Sequence, residues 1–423
     1  MPFAAQAEPV TTRITPDTIT EKEAVAKVLA GNPGIAGMQS QADAMSHIPS
    51  QAGTLPDPVL SLNALNLPTD SFSTTQENMT QLQVALSQAI PFPGKLGLRE
   101  QAAHYESDSA RFDSNETRLT TVWEARSIWW NLFYLDRALD VVQRNQMLLR
   151  QFVKIAETKY KTGQGLQSDV LLAQVELSKL LDIEIRLEAS RQGQSAQLNA
   201  LMNRPVESSI KLPNQVNEQL PVIPDAGTLR TEAMHSRPLL ASQRSRTDAA
   251  GSRIALAEKD YYPDFTLAGA YGSRSGVNPA TGQSRTDLAS IRLSITLPLY
   301  ASGKQSAAVE QRKAEAAREQ FRLTDQMRAV DAEISIALAD YRASHNQAEL
   351  FKTGIIPQAS QTVSSMLASY QVNKVDFLNL VRAQITLYNY ETQYWKALSS
   401  GWQAWARLEA ATGKSLTGET DHE

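Results

Sequence analysis

The chain is organised around stretches in which apolar and polar residues alternate. In residues 80–90 the apolar positions recur every second residue, and this period of two predicts a β-strand with one apolar and one polar face. The strand ends at the Pro-Phe-Pro-Gly corner, Pro91 to Gly94, because proline fixes φ and lacks an amide donor. The proline-free stretch from about Lys95 to Thr162 predicts a single helix. At about 1.5 Å per residue, that helix would measure roughly 100 Å, longer than an ordinary globular core.

The same pattern recurs in the second half of the chain. Residues 288–297 alternate in the same way, turn at Pro298 and return to a helical pattern after Gly303. Shorter alternating stretches, 59–65 and 265–271, precede the two strands and complete two hairpins. At one constant offset Tyr160 aligns with Tyr370, and the alignment continues without gaps through the helices that follow. The chain is therefore predicted to be an internal duplication.

The duplication predicts where the parts of the chain begin and end. The predicted parts are a leader or extended segment at 1–20, a first repeat at 21–203 with its hairpin at 59–90, a proline-rich connector at 204–227, a second repeat at 228–414 with its hairpin at 265–297, and a tail at 415–423. Ala5-Gln6-Ala7 in the leader fits the cleavage site of an export signal, and an ordinary Ala-rich leader is the alternative. Thr18 or Thr20 is expected to cap the first helix, and Ser168 the helix that ends near Asn203.

Composition excludes several classes of function. The net charge of −4 argues against a nucleic-acid partner, and the lack of cysteine excludes disulfides and thiolate metal sites. No stretch approaches 18 consecutive apolar residues, which excludes a transmembrane helix. No catalytic or cofactor-binding motif is present, and the histidines lack metal-ligand spacing: His47, His104, His235, His345 and His422. We therefore predict no enzyme, no cofactor and no bound metal.

Four strands in two hairpins cannot close a sheet on themselves. Open edges in lipid leave backbone groups unpaired at a cost of several kcal/mol each. Three copies would supply twelve strands, which can close a β-barrel around a water-filled lumen. The residues thus predict an α+β membrane protein, a homotrimer whose twelve-stranded β-barrel continues into long helices. A secreted coiled-coil spacer is an alternative of a different class, but it leaves the amphipathic hairpins unexplained.

Several motifs in this order resemble the TolC family of outer-membrane efflux ducts, also called outer membrane factors. They are QAIPFPGK at 88–95, YKTG at 160–163 with DVLLAQ at 169–174, LNALMNRP at 198–205, and IPQA at 356–359 with Tyr370. The resemblance covers about residues 21–414. It implies a location in the outer membrane of a Gram-negative cell, contact with outer-membrane lipid, and an α-helical coiled-coil tunnel in the periplasm. It also implies the exit duct of a tripartite efflux system, with a periplasmic adaptor and an inner-membrane RND pump as partners.

The corner that begins at Pro91 is most similar to the branch of this family that serves heavy-metal cation pumps, the CzcC and CusC type. Heavy-metal cations are therefore the expected cargo. A duct for drugs, other small molecules or type I secretion is the alternative within the family. The corners between strand and helix are expected at Pro91, Pro93, Gly94, Pro298 and Gly303.

The resemblance also implies a periplasmic gate at two equivalent helical turns, 160–169 and 370–379. In the family, a Tyr and an Arg of the second turn bind an Asp of the first. Tyr370 matches the Tyr and Asp169 the Asp, whereas the Arg position falls on Val375. Neighbouring Lys374 is then the candidate cation.

The family narrows its tunnel with rings of carboxylates just beyond the second turn. Those positions fall on Asn379 and Arg382, neither of which is acidic, so Asp376 is the candidate for a displaced ring. For Asp376 and Asp169 a local alternative stays open. Either carboxylate could simply favour a helix N-terminus, worth about 0.3–1 kcal/mol.

Overall fold

The computed structural model describes residues 17–372 and 374–416. The strands are β1 (Asp17–Thr18), β2 (Val59–Leu65), β3 (Gln81–Ile90), β4 (Ile210–Lys211), β5 (Asp264–Ser273) and β6 (Leu288–Thr296). The α-helices are α1 (Glu21–Gly31), α2 (Pro33–Ser46), α3 (Ile48–Gly53), α4 (Lys95–Lys161), α5 (Gln167–Leu201), α6 (Ala226–Ser236), α7 (Pro238–Lys259), α8 (Lys304–Leu350), α9 (Ile356–Gln371) and α10 (Phe377–Thr412). The Ala5-Gln6-Ala7 site lies outside the described residues, as does nearly all of the tail.

The chain divides into two units, and each combines segments of both repeats. The sheet unit contains Gln39–Asp113 and Leu239–Gln326. The helical unit contains the other described residues. None of the helices in the described ranges is at once long and apolar enough to cross a membrane.

The sheet unit holds one antiparallel sheet with the strand order β2-β3-β5-β6, which confirms both predicted hairpins. Leu62 pairs with Val84 and Val84 with Tyr271, so the apolar positions of neighbouring strands lie on one face. This apolar face is exposed: Leu62 is 76% exposed and Ile291 of β6 is 87% exposed. The opposite face is polar, with the amide of Asn63 donating to Gln83 Oε1 at 3.3 Å.

The predicted long helix is confirmed, because α4 runs without interruption through 67 residues. At the start of the first repeat Thr20 caps α1 in a capping box, in which the Glu23 amide donates to Thr20 Oγ1 at 3.2 Å. The predicted cap at Ser168 is wrong. Helix α5 begins at Gln167, and its N-cap residue is Leu166, which has no side chain able to accept a hydrogen bond.

Near Gly354 and Pro357 the chain changes its helix type. A π-helical turn, Phe351–Ile355, joins α8 to α9. Proline lacks an amide donor and its ring crowds the carbonyl four residues earlier, so the chain widens locally instead of continuing as a regular α-helix.

The connector between the repeats is largely irregular, and it packs against other segments of the helical unit. Its two-residue strand β4 pairs in parallel with β1. Further along, Leu220 is 8% exposed and lies where a side chain on Gly401 of α10 would stand. The Tyr341 hydroxyl donates to the carbonyl of Pro221.

Aromatic side chains of α4 and α10 form part of the core of the helical unit. The Trp130 and Trp402 rings stack with their centroids 5.1 Å apart. Trp129 is 2% exposed, and its indole donates to the Ile19 carbonyl at 2.9 Å.

Candidate functional site

The candidate site is built at two turns between helices of the helical unit, which we call the first turn (residues 162–166) and the second turn (residues 372 and 374–376). In the first turn the amide of Gly163 donates to the Tyr160 carbonyl at 3.1 Å, and that of Gln164 to the Lys159 carbonyl at 2.8 Å. Gly163 adopts a φ of 74°, a left-handed conformation that favours glycine. These bonds reverse the chain between α4 and α5.

The second turn reverses the chain between α9 and α10. The amide of Lys374 donates to the Ser369 carbonyl at 2.9 Å. Asp376 is the N-cap residue of α10, but its side chain makes no capping hydrogen bond. The Asp376 carboxylate therefore accepts no capping hydrogen bond, and its local role at this helix start would be limited to the favourable interaction of its charge with the helix N-terminus.

The four helices that the turns connect pack through one apolar cluster. The Tyr370 and Phe377 rings lie 5.2 Å apart, and the Phe152 and Phe377 rings 6.5 Å apart in an edge-on arrangement. The buried members come from α4, α5, α9 and α10: Val141, Val142, Leu149, Phe152, Ala156, Ala173, Leu180, Tyr370, Phe377, Leu380, Val381 and Tyr388. Two helices of each repeat thus share one apolar core next to the turns.

One polar pair is embedded in this region. Gln384 of α10 donates to Asn145 Oδ1 of α4 at 2.6 Å, and each residue is 3% exposed. Asn145 in turn donates to the Val141 carbonyl at 2.8 Å. This buried pair favours one alignment of α4 against α10, because sliding would leave the Gln384 donor and the Asn145 oxygen without their partners.

Tyr370 is the predicted gate tyrosine, and its ring is 5% exposed. Its hydroxyl is buried without a hydrogen-bond partner in the described part of the chain. The hydrogen bond expected between Tyr370 and Asp169 is therefore not formed, because the ring lies in the apolar cluster. Burial raises the pKa of Tyr370, and the negative charge of Asp169 raises it further.

A lysine reaches Tyr370 directly, a contact that the resemblance does not imply, since the predicted cation Lys374 was expected to bind Asp169. Lys374 is exposed. Lys159, at the end of α4, is 9% exposed and donates from Nζ to the Tyr370 carbonyl at 2.8 Å. The same Nζ lies 4.4 Å from the centroid of the Tyr370 ring. The only sequence signal for this residue is its position in the last turn of a helix, where a basic side chain is favoured.

The three constriction candidates lie together at the start of α10. Asp376, Asn379 and Arg382 are all exposed, and their spacing of three residues puts them on one side of the helix. Phe377 and Leu380, between them in sequence, face the apolar cluster. This exposed side carries one acidic, one neutral and one basic residue.

The first corner is held by a buried lysine. Gly94 adopts a φ of 91°, and Lys95 directly after it is 3% exposed, with Nζ lying 3.0 Å from Asp264 Oδ1. The amide of Phe92 donates to the same oxygen at 2.7 Å, and the Phe92 ring stacks on Tyr262 at 4.5 Å. Pro91 and Pro93 flank that aromatic ring in the sequence.

The second corner is built differently. The amide of Gly303 donates to the Tyr300 carbonyl at 3.1 Å, and that of Lys304 to the same carbonyl at 2.9 Å. Pro298 comes just before Leu299 and Tyr300, which are 79% and 80% exposed. The first corner therefore packs against its neighbours, whereas the second presents its side chains outward.

The described residues contain no group of three or more His, Asp or Glu side chains that could hold a metal ion. The site consists of two turns that are held next to each other by one apolar cluster and a few polar contacts.

Comparison with known proteins gives a family match over the second repeat. The family model described as Outer membrane efflux protein matches residues 229–414. The alkaline protease secretion protein AprF of Pseudomonas aeruginosa is 24% identical over 284 residues, which cover 65% of this chain and 57% of that protein. The cobalt-zinc-cadmium resistance protein CzcC of Cupriavidus metallidurans is 20% identical over 410 residues, which cover 96% of this chain and 93% of that protein.

Solved structures share the fold over nearly the whole chain. The outer-membrane channel OprN superposes with a TM-score of 0.79 at 18% identity, and the match covers 93% of this chain and 89% of the OprN chain. A structure of CusC superposes with a TM-score of 0.78 at 15% identity, and the match covers 98% of this chain and 99% of the CusC chain. The four-stranded antiparallel sheet with long helices is thus the TolC-like fold.

Proposed function

We propose that this chain is the exit duct of a tripartite efflux system. The proposal is supported by the match of residues 229–414 to the family model of outer membrane efflux proteins and by the TolC-like fold of the chain. Such a protein is a non-enzymatic channel of the outer membrane that extends into the periplasm. The observation that carries the proposal is the exposed apolar face of the four-stranded sheet. A water-soluble spacer protein would not expose a whole sheet face of apolar residues that includes Leu62 and Ile291.

The proposed assembly is a homotrimer. In the described part of the chain, β2 and β6 are the outermost strands of the sheet, and each has a strand on one side only. Three copies joined through these edges would close a sheet of twelve strands and pair every backbone group. Light scattering in detergent is expected to report three chains per particle. A monodisperse monomer with intact β-structure would refute the trimer.

The proposed partners are a periplasmic adaptor and an inner-membrane RND pump, and the proposed gate is at the two turns. The apolar cluster supports this position for the gate, since four helices from both repeats meet there. Asp169, Tyr370 and Lys374 stay candidates for holding the turns closed. Asp376, Asn379 and Arg382 stay candidates for the constriction, because they are exposed on one side of α10.

Heavy-metal cations are the proposed cargo. Two observations support this choice: the resemblance of the first corner to the heavy-metal branch, and the similarity to CzcC over almost the full length of both chains. The similarity to AprF favours a second candidate, a duct for protein secretion, but it covers a smaller share of both chains.

Deletion of the gene tests the cargo. The deletion strain is expected to become sensitive to cobalt, zinc or cadmium salts more than to dyes and detergents, with protease secretion unchanged. Restoring the chain should restore resistance, whereas restoring it with Leu62→Arg, which puts a charge on the apolar face, should not. Loss of a secreted protease with normal metal resistance would move the assignment to secretion, and sensitivity to dyes and detergents alone would move it to drug efflux.

A further inference from the structure

The two turns occupy equivalent places in the duplication, but their side chains are used differently. At the constant offset of the repeat, Lys159 corresponds to Ser369 and Tyr160 to Tyr370. Tyr160 is 49% exposed, whereas Tyr370 is 5% exposed. One repeat therefore contributes a buried cation and the other contributes the group that the cation binds.

The contact made by Lys159 is of a strong type. A buried ammonium must be paired or hydrogen-bonded, because removing it from water is costly. Its acceptor, the Tyr370 carbonyl, lies at the end of α9, where it also accepts from the Val372 amide and where the helix dipole is negative. The position of Nζ at 4.4 Å from the Tyr370 ring adds a cation–π interaction. The donor and acceptor are 211 residues apart in sequence.

We propose that Lys159 is the positioning residue that holds the end of α4 against the end of α9 and so keeps the two turns in their resting arrangement. This inference rests on the proposed function, since a resting arrangement matters only in a duct that opens. It assigns the cationic role to Lys159 and not to the exposed Lys374. It also assigns the acceptor role to the Tyr370 carbonyl and ring and not to its hydroxyl, which has no hydrogen-bond partner in the described residues.

Single-channel recordings in planar bilayers test the inference. Lys159→Met removes the charge and keeps most of the side-chain length. It should raise the open fraction about tenfold or more, the ratio expected for the loss of a charged hydrogen bond. Lys159→Arg keeps the charge and should stay close to the wild type. Lys161→Met is the matched control, because Lys161 is in the same helical turn but exposed.

Substitutions at Tyr370 separate this mechanism from one that uses the tyrosine hydroxyl. Tyr370→Phe keeps the carbonyl and the ring, so its open fraction should equal that of the wild type. Tyr370→Leu removes the ring and should raise the open fraction, and in combination with Lys159→Met it should add less than the sum of the two effects. A purely structural role would lower the stability of all these variants without this pattern in the open fraction.

The outcomes are distinct. A wild-type open fraction in assembled Lys159→Met trimers would overturn the inference while leaving the duct intact. If Lys159→Met does not assemble, Lys159→Gln takes its place, and a wild-type open fraction in that variant overturns the inference equally. Absence of any conductance from the wild-type protein would overturn the proposed function, and the inference would fall with it.

Discussion

Lys95 at the start of α4 and Asp264 at the start of β5 are joined by an ion pair in which Lys95 Nζ lies 3.0 Å from Asp264 Oδ1. The lysine side chain is 3% exposed and the aspartate side chain 43% exposed. Asp260 also lies 3.0 Å from the same Nζ. The pair therefore fixes the first corner of one repeat to the strand that opens the hairpin of the other.

Replacing this lysine should weaken the sheet unit. Lys95→Met leaves two carboxylates facing each other without their cation, and we expect a loss of about 1–2 kcal/mol, since both are partly exposed to water. The matched control is Lys304→Met, because Lys304 is also the first residue of its helix but is exposed. Thermal unfolding in detergent, followed by circular dichroism, measures both. Equal midpoints for the two variants would show that the buried pair contributes nothing.

A charge on the apolar face should block assembly, whereas the same charge on the polar face should be tolerated. Leu62→Arg places a guanidinium where the proposed trimer faces lipid, at a cost of about 2–4 kcal/mol near the middle of the membrane. Asn63→Arg, one residue along β2, lies on the opposite face. The amount of folded protein in purified outer membranes measures the difference. If Asn63→Arg is the more damaging, the proposed orientation of the sheet is reversed.

The loops 68–78 and 272–286 are predicted to face the cell exterior. They are tied to each other, since Arg285 donates to the Glu77 carbonyl at 2.8 Å and Arg274 to the Asn78 carbonyl at 3.4 Å. Epitopes inserted at Asp70 and at Asn278 should both bind antibody on intact cells. The control is an epitope in the first turn, which should bind only after the outer membrane is opened. Labelling of the turn but not the loops on intact cells would invert the topology.

Elements whose residues repeat with a clear period could be predicted from the sequence. The predicted strand at 59–65 is found as Val59–Leu65, because alternation shows both its faces and its length. The helix predicted from Lys95 to Thr162 ends one residue earlier, at Lys161, since the prolines before it and Gly163 after it define its ends. In these elements the local pattern and the packing agree.

Contacts that join distant parts of the chain could not be predicted in the same way. Nothing local indicates that Lys159 would bind the Tyr370 carbonyl, or that β1 and β4 would pair. The resemblance pointed to Asp169 as the partner of both Tyr370 and Lys374, and the structure instead buries the Tyr370 hydroxyl without a hydrogen-bond partner in the described residues. At Ser168 a strong capping preference was outweighed by the preceding turn, which places the N-cap at Leu166, two residues earlier.

The connector carries a pH-dependent contact with the π-helical region. Glu218 Oε2 accepts from Lys352 Nζ at 2.8 Å and from the Tyr394 hydroxyl at 2.6 Å. Burial alone would raise the pKa of Glu218, but the hydrogen bonds from Lys352 and Tyr394 and the lysine charge outweigh it and lower the pKa below its ordinary 4.5. The contact therefore stabilises the folded state above about pH 4.5 and is lost as the pH falls through the lower folded-state pKa.

Glu218→Gln tests this contact. At neutral pH we expect it to lower the free energy of unfolding by about 0.5–1 kcal/mol, a modest value because the carboxylate is partly exposed. The difference from the wild type should shrink as the pH falls below 4.5 in denaturant titrations. Glu207→Gln, at an exposed carboxylate of the same connector, is the control and should show little effect at any pH. A difference that grows in acid would contradict the lowered pKa.

Substitutions at the two glycines of the first turn should disturb the protein for different reasons. Gly163 has a φ of 74° with no atoms near its missing side chain, so Gly163→Ala should cost about 1–2 kcal/mol from backbone strain alone, and Gly163→Asn less. At Gly165 an added Cβ would lie 2.9 Å from Lys159 Cβ and 3.3 Å from the backbone of that helix.

Gly165→Ala must therefore move the end of α4, and with it the Lys159 ammonium. We expect Gly165→Ala to raise the open fraction in planar bilayers, whereas Gly163→Asn should leave it unchanged. Gly193→Ala is the control, because Gly193 lies in helix α5 with no atoms near its missing side chain, and alanine there should stabilise the helix by up to about 1 kcal/mol. Conductance and thermal stability are measured on the same preparations. An open fraction that rises in Gly163→Asn as much as in Gly165→Ala would mean that the turn responds to any substitution, and that the packing of Gly165 against Lys159 has no special part in holding it.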